Sequence, residues 1–120
     1  MRVWDAEQID ALTEAVVQSL LVDGLSAHAL APRIAEQIAA SRPSLPGLSV
    51  ALPFTLAAGA IDEMLGASPQ ACAAAREAWR AAALIGADAL GLQAQGRHTV
   101  ADLLAHWHSG DEVFGPRNDP

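Results

Sequence analysis

Apolar residues recur at helical spacing along most of this chain. Ile9, Leu12, Val16 and Leu20 fall three or four apart, with Asp10 and Glu14 on the opposite side. The pattern predicts a first helix opened by Asp5 as N-cap, with Glu7 in the first turn and Gln8 as capping-box partner. Trp4 and Ile9 occupy the positions of a hydrophobic staple, and Gly24 stops the run. In the second segment Pro32 opposes a smooth helix and pushes Ala31 toward extended geometry. The expectation is a turn over 26–30 and a helix beginning at Pro32, with Ile34 and Ile38 facing the core. Residues 42–47, Arg-Pro-Ser-Leu-Pro-Gly, read as a loop.

Ser49 opens a third helix, with Pro53 in or next to its first turn and Gly66 at its end. Leu52, Leu56, Ile61, Met64 and Leu65 make it apolar on more than one side, the mark of a central helix. Ser68-Pro69 is a cap and first-turn pair for the longest helix, about residues 69–94. Trp79, Leu84, Ile85 and Leu90 stand there among many alanines. Thr99 caps the last helix with Asp102 at the capping-box position, Leu103, Leu104 and Trp107 form its apolar side, and Gly110 ends it.

No strand alternation and no internal repeat is visible. The fold class expected is all-α: about five helices in orthogonal or bundle-like packing, with helices three and four as a central antiparallel hairpin. Residues 1–112 read as a single helical domain and 113–120 as a loose C-terminal tail, unless Val113 and Phe114 dock.

Composition sharpens this picture. Alanine fills 27 of the 120 positions and lysine is absent. Alanine is the best helix former and lets helices approach closely, but it buries little area, so the hydrophobic gain per residue is small. Self-association would add buried area. The formal net charge of −7 argues against nucleic-acid and anionic-membrane partners, which call for clustered Lys and Arg. From Pro43 to Ile61 there is no charged residue, yet the prolines and glycines of that stretch leave too short a helical part to cross a bilayer. The first residues carry charge and no early apolar run, so the expected location is the cytoplasm. Cys72 has no cysteine partner and reads as a small buried residue of the fourth helix.

Four groups are candidates for chemistry. Asp102 and His106 share one helix face, with His108 close by in the turn, a residue set able to bind a divalent metal. The competing account is a capping Asp with histidines at the negative end of a helix, and it is the preferred one. Arg76 and Arg80 lie on one face and could hold a carboxylate or phosphate, or pair with Asp62 and Glu63. Trp107, between two histidines, and Phe114 in the tail are candidate interface residues, while Trp79 is assigned to the core.

His28 forms the fourth group. Residues 26–32, Ser-Ala-His-Ala-Leu-Ala-Pro, resemble the phospho-accepting box of histidine-kinase dimerisation helices in the order His, Leu, Pro. The proline comes one residue early, and Ala29 and Ala31 replace the polar and basic residues of that box. Those departures remove the groups that assist phosphoryl transfer, and His28 is read as a histidine in a turn.

No catalytic signature or nucleotide loop is present in the sequence. The reading that follows is a non-enzymatic helical interaction protein, a small self-associating subunit, adaptor or regulator. Its partners would be protein, with no nucleic acid and no membrane, and no cofactor is expected. The alternatives are a small-molecule or metal-binding domain on the His-Trp-His segment, and a small enzyme using histidine as acid–base.

Overall fold

Helix propensity and capping account for most of the architecture. A computed structural model of the chain describes residues 6–65 and 68–109. It contains helices α1 (Ala6–Leu21), α2 (Ala27–Ser41), α3 (Ala51–Leu65), α4 (Pro69–Ala94) and α5 (Val100–His108), with a 3-10 turn at Gly47–Val50 leading into α3. No β-strand occurs among the described residues, and the fold is all-α. No helix among them is long and apolar enough to cross a membrane. Asp5 and Trp4, the expected cap and staple of α1, and the tail with Phe114 lie outside the described residues.

Two helix starts follow the expected chemistry closely. The Ser68 hydroxyl accepts from the Ala71 amide at 3.0 Å, and Pro69 occupies the first helical position of α4. A full capping box opens α5. The Thr99 hydroxyl accepts from the Asp102 amide at 3.1 Å, while Asp102 Oδ2 accepts from the Thr99 amide at 3.2 Å. Between these helices Gly96, at φ 79°, completes a reversal in which the Arg97 amide donates to the Leu92 carbonyl and the Gly96 amide to the Gln93 carbonyl.

The start of α2 corrects the sequence-based expectation. Its helix begins at Ala27, and Pro32 sits inside it. Ser26 supplies the reason: its side chain accepts from the Ala29 amide at 3.2 Å, and its carbonyl from Leu30 at 3.0 Å. With the first turn fixed by that cap, Pro32 removes only its own donor to the turn before it. His28 therefore lies in the first turn of a helix. The third helix begins at Ala51, two residues after Ser49, which lies inside the 3-10 turn Gly47–Val50 that leads into it.

The core is alanine-rich. Ala57 and Ala58 of α3 and Ala71, Ala74, Ala75, Ala78 and Ala81 of α4 are buried, together with Phe54, Ile61 and Ile85. The hairpin of α3 and α4 makes the most extensive helix contact; α1 packs mainly on α3, whereas α2 and α5 meet α4. The loop before the 3-10 turn is tied to the start of α5. Gly47 donates to the His98 carbonyl at 2.7 Å, and Val100 to the Leu45 carbonyl at 2.8 Å. The result is a flat body of 44 × 42 × 22 Å.

Candidate functional site

Helix α3 is apolar on two sides, but only one is covered. Phe54, Ala57, Ala58 and Ile61 point into the core. On the other side Leu52 is 37% and Leu56 41% exposed, continuing a stripe that starts with Leu48 at 46%. α3 is central to the packing, as its two-sided apolarity predicts, meeting both α4 and α1, and it still leaves one apolar face open to solvent.

The neighbouring face of α4 matches it. Trp79 is 47% and Leu90 56% exposed, and Ala83 between them is exposed as well. The indole Nε1–H of Trp79 donates to Asp62 Oδ2 of α3 at 3.3 Å, so the ring lies across the hairpin and not in the core. This corrects the assignment of Trp79 to the interior. One turn along α4 from Trp79, Ala82 joins Pro46, Leu48, Leu52 and Thr55 in lining an open groove of about 570 Å³ with largely apolar walls. Exposed large apolar side chains gathered on one side of a helix pair are a mark of an interaction surface, and here Asp62, Glu63, Arg76 and Arg80 are exposed around the Trp79 end.

Trp107 reverses its expected place in turn. It is 0% exposed, and its Nε1–H donates to Asp88 Oδ2 of α4 at 2.8 Å. It anchors α5 on α4 and offers no surface to a partner. Its helix period puts it on the same side as Val100 and Leu103, both buried, while the flanking histidines lie to either side of that stripe. The flanking histidines carry no information about the face between them.

The candidate metal residues are arranged as a helix start and a helix end. The Asp102 carboxylate is engaged by Thr99, whose hydroxyl also donates to Oδ2 at 2.9 Å. Those hydrogen bonds, the backbone one first, hold the Asp102 carboxyl below the usual carboxylate range. His108 Nε2 stands 3.8 Å from Glu36 Oε1 of α2, both side chains well exposed. Among the described residues no three His, Cys, Asp or Glu side chains gather closely enough to hold a metal ion. Arg76 and Arg80 are exposed on α4. Cys72 is exposed too, contrary to the expectation of burial, because the buried stripe of α4 runs through Ala71, Ala74 and Ala75 and leaves position 72 outside it.

A second groove of about 440 Å³ lies between the α1–α2 connection and α4. Val22, Gly24, Ser26, Gln70 and Glu77 are among its walls, and Gln70 Nε2 donates to the Leu21 carbonyl across it at 2.8 Å. No histidine lines either groove. Compared with known proteins, the chain matches no family model, no curated protein and no solved structure.

Proposed function

We propose that this chain is a non-enzymatic helical interaction protein that self-associates, and that its working surface is the open face of the α3–α4 hairpin. The observation that carries this reading is the pair of exposed apolar stripes: Leu48, Leu52 and Leu56 beside Trp79 and Leu90. Burial of such surface is favourable at roughly 25 cal/mol per Å². A core built from alanine leaves the isolated chain with a modest hydrophobic gain, so covering this face adds a disproportionate share.

Charge is consistent with this use. The chain is acidic overall, but residues 43–61 and 81–87 contain no ionisable side chain. Two copies can therefore bring these segments together while the repelling carboxylates stay at the rim or on other faces.

The experiment is a thermal melt at protein concentrations spanning a hundredfold range, with Leu52→Glu alongside. Association stabilises the folded state, so the midpoint of the wild type rises with concentration and that of Leu52→Glu stays flat. A wild-type midpoint that does not move overturns the reading.

A further inference from the structure

Resting on the self-association reading above, the structure also carries an inference about how two copies meet. We propose that the protein forms a two-fold dimer in which the exposed half of each Trp79 indole is seated in the groove of the other copy, between Leu48, Leu52, Thr55 and Ala82.

Knob and groove lie on one face of one hairpin. A Cβ placed on Gly86 would stand 3.7 Å from Leu48 Cδ1, which puts Gly86 at the groove. Trp79 precedes Gly86 by seven residues, so the two lie within about 20° on the helix circumference and about 10 Å apart along it. The ring is held by its hydrogen bond to Asp62, and a pre-oriented aromatic loses little freedom when it docks. Ala82 is a wall of the groove and Ala83 stands beside it, so small side chains separate the indole from Gly86 along α4, with Arg76 and Arg80 exposed alongside.

Symmetry selects the arrangement. A two-fold axis lying in the interface near Ala83 turns each hairpin end for end over the other. Each indole then meets the other groove, and both contacts close at once. An axis that stacked Trp79 on Trp79 would leave both grooves wet. The overlap of α3, its 3-10 turn and α4 covers about 30 × 20 Å, or about 600 Å² per copy and about 1,200 Å² per pair, the lower bound of a standard interface.

The test uses disulfide capture together with sedimentation. In a Cys72→Ser background, Ala83→Cys lies at the axis and forms a linked dimer on mild oxidation, whereas Gln93→Cys, about 15 Å away along α4, does not. Trp79→Ala in the Ala83→Cys background keeps its helical circular dichroism, raises the dimer dissociation constant about thirtyfold or more and loses the link. Trp79→Phe retains part of both. If Trp79→Ala fails to fold, Leu52→Glu replaces it, with the same loss expected. A dimer that survives Trp79→Ala, that links at Gln93 and not at Ala83, or that extends into a ladder of larger species overturns this arrangement and leaves self-association standing. A monomer at every concentration overturns both.

Discussion

At the scale of single residues, two tryptophans carry opposite duties. Trp107 is a structural pin: its ring fills the space under α5 and its N–H is satisfied by Asp88 at 2.8 Å. Trp107→Ala is expected to destabilise the fold by about 3–5 kcal/mol, read from denaturant unfolding, because a large cavity opens in a rigid setting. Asp88→Ala should cost about 1–3 kcal/mol, the penalty of leaving a buried N–H without an acceptor. Trp79→Ala, by contrast, removes a half-exposed ring and should leave the stability of the separated chain close to unchanged. Thr99 is the third informative position. Thr99→Ala removes the cap of α5 and is expected to cost about 1 kcal/mol. The partner Asp102 titrates below its ordinary range in the folded chain. Its contribution is therefore complete above the unfolded value near 3.9 and disappears as pH falls through the lower folded value. Urea midpoints measured across that acid interval should converge for wild type and Asp102→Asn as the pH drops; a constant gap would contradict the role assigned to the carboxylate.

At the scale of helices, close packing through methyl groups sets the limits. Ala78 and Ala81 of α4 are fully buried in the core. Ala78→Leu should destabilise by about 1–3 kcal/mol, since the added atoms force the helices apart. Much at this level was legible in the sequence for local reasons. Ser68-Pro69 and Thr99 with Asp102 define helix starts by hydrogen bonds within four residues, and the structure forms each of them. The position of Pro32 inside α2 was not legible from its steric cost alone, because the cap at Ser26 fixes the turn before it. The two-sided apolarity of α3 was equally visible, but a pattern along one helix cannot tell whether its second apolar side meets the same chain or another molecule. The groove was invisible for a related reason, because Ala82 comes beside Leu48 and Leu52 only when the hairpin closes.

At the scale of the whole molecule, a flat helical body with one bare apolar face and a net charge of −7 makes a combined forecast. The attraction is apolar and the long-range force between copies is repulsive. Raising the salt concentration from about 10 to 150 mM should therefore strengthen association, as screening shortens to about 8 Å. An interface built on ion pairs would weaken instead. The most direct measurement is the molar mass at sedimentation equilibrium over a hundredfold range of protein concentration. The account predicts a mass rising from that of the 12.4 kDa chain to twice that value, with Leu52→Glu held at the lower limit. A wild-type chain that stays at 12.4 kDa throughout would contradict it.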